Sequence, residues 1–213
     1  MPFVNQIAAL VSKVIKHSNT EEDSDYKLPM IFSSGHGSVE LYVLQAEKEV
    51  EKMAAKVMLM FNHICTSLDP AKKEEVTNIS EEISKYENYV DQMMEEITDF
   101  LVKCSQLDGA TGIIQNKITQ LQQIIDYLET LSDESTRIIH NIEKYLSKKQ
   151  DKKLTSDKIL TYMKKVCEFY EYVVNFLGTG LSKSQRSVAS KMEDEIDEMQ
   201  RVLKKSAKKR LTN

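Results

Sequence analysis

The sequence is poor in residues that interrupt helices. It has 6 glycines and 3 prolines among 213 residues. It also lacks tryptophan. Glycine and proline weaken or break helices, so their scarcity leaves long stretches that can remain helical. Those stretches are dominated by Ile, Leu, Met, Lys, Glu and Gln, as expected for long helices. No stretch shows a convincing strand pattern, and we therefore predict an all-α protein.

Cysteine is also scarce. Cys65, Cys104 and Cys167 are odd in number, lie far apart in the sequence and have no CxxC spacing. This pattern indicates a reducing compartment, and we expect the thiols to be small core residues.

Long apolar runs and a strong charge of one sign are missing as well. No apolar run approaches the roughly 20 residues of a membrane span, so we expect this chain to be soluble. The formal net charge is -4, from 29 basic and 33 acidic residues. This near balance gives no reason to expect a nucleic-acid partner.

Apolar residues recur at steps of three and four along five stretches, which predicts five helices. Ser38 is a plausible N-cap for the first, and Ser182 with Gln185 forms a capping box for the last. Long helices with short connections pack as an up-and-down antiparallel bundle. The predicted helices span about 39–67, 70–105, 111–147, 157–177 and 183–210.

The apolar residues of each predicted helix form a row, or stripe, along one face. Two of these stripes predict which residues are buried. On the first helix the predicted apolar face includes Leu41 and Leu44. On the third helix Ser132 and Ser135 stand where the stripe would place apolar residues.

The chain ahead of these helices divides into two segments. Residues 1–17 carry apolar side chains at helical spacing and predict an amphipathic helix, which either docks on the domain or lies near a membrane. Residues 18–38 are polar and interrupted by Pro29, Gly35 and Gly37, which predicts a linker. The helical domain is then 39–213.

A decamer occurs twice. Ser84–Met93 and Ser190–Met199 share Ser, Lys, Glu, Asp and Met at the same places, with Val exchanged for Ile. The fourth and fifth helices therefore correspond to the first and second. We predict one three-helix repeat followed by a truncated second repeat.

Each decamer contains a Glu and an Asp four residues apart, and a third such pair lies between them. All six acids directly follow a stripe position, so they lie at the same rim of their helices. Oxygen ligands without His or Cys suit Mg, Ca, Mn or oxidised Fe. The alternative is a solvated acidic face without a metal. The candidate ligands are Glu87, Asp91, Glu129, Asp133, Glu193 and Asp197.

Catalytic motifs are not found. Di-iron carboxylate bundles place Glu three residues before His on two helices, and none of the four histidines has that neighbour. A phosphate-binding Gly-rich loop with Lys-Ser/Thr, a nucleophile elbow and an H-E-x-x-H motif are also missing. We therefore expect a protein that is not an enzyme.

The end of the last predicted helix is basic. Cations at a helix C-terminus are favoured by the helix dipole, and a basic cluster can also contact acidic lipid or an acidic partner face. The residues are Lys204, Lys205, Lys208, Lys209 and Arg210.

The E-x-x-x-D pairs, together with the segment Asp126–Asp133, resemble the PhoU family of phosphate-uptake regulators. Val43–Met53 and Tyr86–Leu101 are similar to the first two helices of the PhoU-like domain at the cytoplasmic end of bacterial Na/phosphate cotransporters. The resemblance covers about Val39 to Leu211. It implies an α-helical bundle of three-helix repeats, whose carboxylates in some members hold iron or zinc clusters or bind Mg or Mn.

The resemblance also implies partners and a location. The expected partner is the membrane domain of a phosphate transporter, at the cytoplasmic side of the inner membrane, and a homodimer is left open. The chain departs from the family motif at Thr130, Ser132, Glu134, Thr136, Arg137 and Ala207. These departures predict one reduced metal site, or none, in place of two clusters.

Two functions of different class follow. The first is a non-catalytic regulatory domain of phosphate uptake, attached to or acting on a Na/phosphate cotransporter or standing alone, with a divalent or trivalent metal such as Fe, Mn, Mg or Zn. The second is a metal-free helical adaptor or scaffold.

Overall fold

The computed structural model of the chain describes residues 25–28, 38–68, 75–147 and 157–211. The amphipathic helix predicted over 1–17 and most of the predicted linker 18–38 lie outside these ranges. The predicted start of the second helix, at about 70, lies outside them too.

The described residues form an all-α fold, as predicted, and contain no strand. Apart from the predicted start of the second helix, which lies outside the described residues, the helices begin and end close to the predicted positions. The fourth is shorter than expected because residues 175–179 form turns. The helices are α1 (Val39–Ser67), α2 (Val76–Ser105), α3 (Gly112–Ser147), α4 (Asp157–Val174) and α5 (Lys183–Leu211).

The predicted caps form. The Ser38 hydroxyl accepts the backbone N–H of Leu41 at 3.4 Å. At the start of α5, the backbone N–H of Ser182 donates to Gln185 Oε1 at 2.8 Å, and the N–H of Gln185 donates to Ser182 Oγ at 3.3 Å. Such caps satisfy N–H groups that a helix start leaves unpaired, and each is worth about 1 kcal/mol.

Helices α1 and α2 run antiparallel. Near the end of α1 the ring of His63 packs 5.7 Å from that of Tyr86, whereas near its start the ring of Tyr42 lies 6.2 Å from that of Phe100. Residues later in α1 therefore contact residues earlier in α2, which is the antiparallel order.

Helix α3 returns parallel to α1 and antiparallel to α2. Lys117 pairs with Glu47 near the start of α1, and the hydroxyl of Ser132 contacts the sulfur of Met60 farther along. The first three helices thus form an up-down-up bundle. Its core consists of side chains with almost no exposed surface, among them Val50, Met53, Met60, Ile83, Val90, Ile97, Leu121, Ile125 and Ile139.

Helices α4 and α5 form an antiparallel hairpin attached to this bundle through α4. The phenol of Tyr170 donates to the backbone carbonyl of Ala54 at 2.8 Å, and its ring packs edge-on against Phe61 at 5.0 Å. On the other side of α4, Lys165 lies 3.8 Å from Glu195 of α5. None of the described apolar side chains of α5 joins the main core.

The buried face of α1 is rotated relative to the prediction at its first turns. Leu41 and Leu44 are each 49% exposed, while Tyr42 and Val43 are buried. The buried residues Val39, Val43 and Ala46 continue the spacing of three and four back from Val50, and Leu41 and Leu44 lie off that line. The prediction for these two leucines was wrong.

The serines in the α3 stripe occupy core positions, as the stripe requires. Ser132 and Ser135 are both 0% exposed. The hydroxyl of Ser135 donates to the carbonyl of Leu131 at 2.7 Å, so its polar atom is satisfied within its own helix.

A short piece of the predicted linker docks on the bundle. The N–H of Tyr26 donates to Gln92 at 2.6 Å, its phenol donates to the buried carboxylate of Glu49 at 2.9 Å, and its ring packs against Tyr89. Residues 25–28 are therefore held in a groove between α1 and α2.

Candidate metal centre

Two acidic pairs meet where α2 and α3 pack side by side. Val90 on α2 and Leu128 on α3 point into the core, which places the following acids, Asp91 and Glu129, at the rim of each helix. Since α2 and α3 run antiparallel, the Glu-Asp pair of one helix lies beside the pair of the other. The sequence pattern thus brings charges of the same sign to one interface.

Three of these carboxylates converge. One oxygen each from Glu87, Asp91 and Asp133 lies within 4.8 Å of the others. Glu87 and Asp91 are half-buried, and Asp133 is exposed. Among the described residues, this is the one group of three or more His, Cys, Asp or Glu side chains close enough to share an ion.

The environment disfavours the charged forms of the α2 acids. Partial burial raises the pKa of Glu87, and the charges of Asp91 and Asp133 raise it further, while nearby His140 opposes the rise. Burial also raises the pKa of Asp91, with Asp133 adding to the effect. Both shifts have the sign expected when like charges are held together at a partly desolvated surface.

Glu129 belongs to the same electrostatic cluster, although its oxygens lie outside the group of three. Burial raises the pKa of Glu129, and the charges of Asp133 and Asp91 raise it further. Among the described residues, no ion pair joins a lysine or arginine to any of the four carboxylates. In the described part of the chain their repulsion is therefore not offset by a lysine or arginine ion pair, and the charge that opposes it at Glu87 is that of His140.

The cluster borders an open groove of about 510 Å³. Asp91 and Glu129 line this groove, whereas Glu87 and Asp133 do not. The groove is lined by further residues with side-chain oxygens, in addition to Asp91 and Glu129. These include Asn88, Gln92, Glu95, Thr98 and Asp99.

The arrangement fits a hard cation. Ions such as Mg²⁺ and Ca²⁺ bind oxygens at about 2.0–2.6 Å, so two oxygens on one ion lie at most about 5 Å apart. The separations within the group of three meet that limit. Three protein oxygens leave several positions for water, which suits Mg²⁺ or Mn²⁺ better than an all-protein Ca²⁺ cage.

The third predicted pair does not join this cluster. Glu193 and Asp197 lie on α5 and are exposed. On α2 the matching stripe residues Val90, Met93 and Ile97 are almost fully buried between two helices, whereas Ile196, Met199 and Leu203 of α5 are only half-buried because α5 packs chiefly on α4. No described helix stands beside Glu193 and Asp197 as α3 stands beside Glu87 and Asp91.

The basic tail lies on the last turns of α5. Lys204, Lys205, Lys208 and Lys209 are exposed, and Lys204 donates to Gln200 at 3.0 Å. The side chain of Arg210 lies outside the described residues. The tail remains a candidate lipid or partner contact.

The sequence pattern alone did not point to two features. Asn88 and Asp99 line the groove, and their signal was the spacing along α2, since Asn88 lies about one turn before Asp91 and Asp99 about two turns after it, both exposed. Cys65 and Cys167 are neighbours in space, and no local signal could have revealed this because their contact depends on how α4 packs on α1.

Comparison with known proteins adds no assignment. No protein-family model matches the chain, and no curated protein or solved structure matches it either. Within the described part of the chain, no helix is both long enough and apolar enough to cross a membrane.

Proposed function

We propose that this chain is a non-catalytic regulatory module of phosphate uptake that binds a metal cation between α2 and α3. The observation that carries the metal proposal is the convergence of Glu87, Asp91 and Asp133 within 4.8 Å. Like charges in such proximity destabilise the folded chain unless a cation offsets them. The cation would be held by these three carboxylates, with Glu129 adding negative charge beside them.

The link to phosphate uptake rests on the resemblance to PhoU-like domains. Its support is the E-x-x-x-D pairs on α2 and α3 and the all-helical architecture that accompanies them. The partner would be the membrane domain of a Na/phosphate cotransporter. In this proposal the bundle is a cytoplasmic accessory domain and performs no chemistry.

The position of the cluster suggests how cation binding would reach such a partner. Gln92 directly follows Asp91, and Glu96 lies about one and a half turns beyond it. Their side chains accept the backbone N–H groups of Tyr26 and Leu28. A cation that neutralises Asp91 would change the charge beside the segment that precedes the bundle. In the cotransporters that this chain resembles, the corresponding segment leads to the last membrane helix.

The experiment is co-expression of the chain with the membrane domain of a Na/phosphate cotransporter, followed by co-purification and a phosphate-uptake assay. We expect co-purification and an altered uptake rate, with the change lost in Glu87→Gln/Asp91→Asn. The matched control is Glu193→Gln/Asp197→Asn, which removes the same two charges from α5. If the chain neither co-purifies with the membrane domain nor alters uptake, the regulatory proposal is wrong.

The metal-free scaffold predicts a different outcome. In that case the chain would bind its partner equally well with or without chelator, and the Glu87/Asp91 variant would behave like the wild type. The assay therefore distinguishes the two functions.

A further inference from the structure

Two cysteine thiols from distant parts of the sequence touch each other. The sulfur of Cys65 on α1 lies 3.2 Å from that of Cys167 on α4, and the two residues are 102 positions apart. Both residues are half-buried, so part of the surface of each is exposed. Cys104, the third cysteine, is fully buried in the three-helix core.

The thiol pair lies at the interface that attaches the α4–α5 hairpin to the bundle. Tyr170, one turn along α4 from Cys167, packs on Phe61 and donates to the carbonyl of Ala54. The Cys65–Cys167 contact extends the same interface toward the end of α1. A bond between the sulfurs would join α1 to α4 where the hairpin already rests on the bundle.

The two thiols differ in acidity. The hydrogen bond shared with Cys167 lowers the pKa of Cys65, burial opposes this, and the charge of Lys164 lowers the pKa further. The same hydrogen bond raises the pKa of Cys167, and burial raises it further. Because the thiolate is the nucleophile, Cys65 is the thiol that reacts first.

We propose that Cys65 and Cys167 form an oxidation site at which a small-molecule disulfide converts the two thiols into a crosslink between α1 and α4. The geometry supports this because the sulfurs are in contact and belong to helices that pack together. The spacing along the sequence gives no hint of it.

The reaction proceeds by two thiol–disulfide exchanges. The Cys65 thiolate attacks one sulfur of glutathione disulfide, forms a mixed disulfide and releases one glutathione thiolate. Cys167 then loses its proton and attacks the Cys65 sulfur, which forms the Cys65–Cys167 bond and releases the second glutathione. Two protein thiols are oxidised, and one glutathione disulfide is reduced to two thiols.

The crosslink would fasten the hairpin to the bundle. Among the described helices, α4 makes the main contact between the hairpin and α1–α3. The oxidised chain would therefore open less often at the α1–α4 interface, and reduction would restore the opening. This effect is independent of the carboxylate cluster, which lies between α2 and α3.

The test uses the full chain, incubated with glutathione disulfide, quenched with iodoacetamide, unfolded and mapped by mass spectrometry. We expect a crosslinked Cys65–Cys167 peptide, the loss of two hydrogens from the chain, and Cys104 recovered as a free thiol. Glutathione retained on Cys65 while Cys167 is alkylated would overturn the proposal. Crosslinks between two chains would also overturn it.

Variants supply the control. Cys104→Ser should crosslink like the wild type, whereas Cys65→Ser and Cys167→Ser should not. Hydrogen exchange of the oxidised wild type gives a readout that does not depend on the folding of a variant. We expect slower exchange in α4, reversed by dithiothreitol. Faster exchange in α4 after oxidation would show that the packed helices cannot accommodate the bond and would refute the proposal.

Discussion

Asp91 of α2 and Asp133 of α3 each have a carboxylate oxygen within 4.8 Å of the other's, although both residues are acidic. Their helices are held together by apolar residues behind them, such as Val90 and Ile125, which are 0% exposed. Burial of such side chains stabilises a fold by about 1.5–3 kcal/mol each, which exceeds a like-charge repulsion of a few tenths of a kcal/mol. The core therefore imposes the repulsion, and a cation would relieve it.

Removing charge from the cluster should stabilise the chain in the presence of a chelator. For Glu87→Gln/Asp91→Asn we expect the free energy of unfolding to rise by about 0.5–1 kcal/mol, because several like-charge contacts of a few tenths of a kcal/mol disappear. Urea unfolding monitored by circular dichroism measures this change.

The control for this measurement is Glu193→Gln/Asp197→Asn. It removes an acidic pair of the same spacing from an exposed helix face, so we expect a change below about 0.5 kcal/mol. An equal gain in both variants would mean that the contacts between α2 and α3 contribute nothing beyond the repulsion within one helix.

The stabilisation should depend on pH. Folding raises the pKa of Glu87 and Asp91, so the folded chain holds their protons more tightly than the unfolded chain does. The stability that these two raised pKa values contribute is fully present below the unfolded pKa of about 4. It is lost as the pH rises through the folded pKa. The difference in unfolding free energy between the Glu87/Asp91 variant and the wild type should be largest near neutral pH and should shrink toward about pH 4. A difference that grows on acidification would contradict the burial and repulsion described here.

The attachment of α4 to α1 can be tested at one atom. Tyr170→Phe removes the hydroxyl that donates to Ala54 and keeps the ring against Phe61. We expect a loss of about 0.5–1.5 kcal/mol, which is typical of one buried hydrogen bond. Tyr172→Phe is the matched control because its hydroxyl makes a longer bond of 3.3 Å to Gln185 in a less buried place. Equal losses in the two variants would argue against a special role for Tyr170.

The segment ahead of the bundle gives a further prediction. Tyr26→Phe removes the phenol that donates to the buried carboxylate of Glu49. We expect residues 25–28 to detach more often and trypsin to cleave after Lys27 severalfold faster, because a lost hydrogen bond of about 1 kcal/mol shifts a local opening equilibrium by about that factor. Cleavage at the wild-type rate would show that the phenol does not hold the segment.

The sequence predicts most of this fold because its stripes are long and regular. Ile83, Val90 and Ile97 lie on the predicted stripe of α2 and are all buried. The stripe phase even places Ser132 and Ser135 in the core, against their polarity. The prediction fails for Leu41 and Leu44, because they lie off the spacing of three and four that runs back from Val50 through Ala46 and Val43.

The candidate site is predictable in part for the same reason. The stripe phase places all six acids at helix rims, but which rims meet depends on helix neighbours. Glu87 and Asp91 meet Asp133 because α3 packs beside α2, whereas Glu193 and Asp197 have no such neighbour among the described helices. The docking of Tyr26 and the Cys65–Cys167 contact depend on tertiary packing alone, and local patterns contain no trace of them.

The central claim is that the carboxylate cluster binds a cation. The most direct test is to titrate the chelator-treated chain with Mn²⁺ and to measure the heat of binding by isothermal titration calorimetry. The account predicts saturable binding to the wild type and to Glu193→Gln/Asp197→Asn, and its loss in Glu87→Gln/Asp91→Asn/Asp133→Asn. At a Mn²⁺ concentration 100 times the dissociation constant, binding should also stabilise the wild type by about 2.7 kcal/mol. Absence of saturable binding to the wild type, or equal binding by the triple variant, would contradict it.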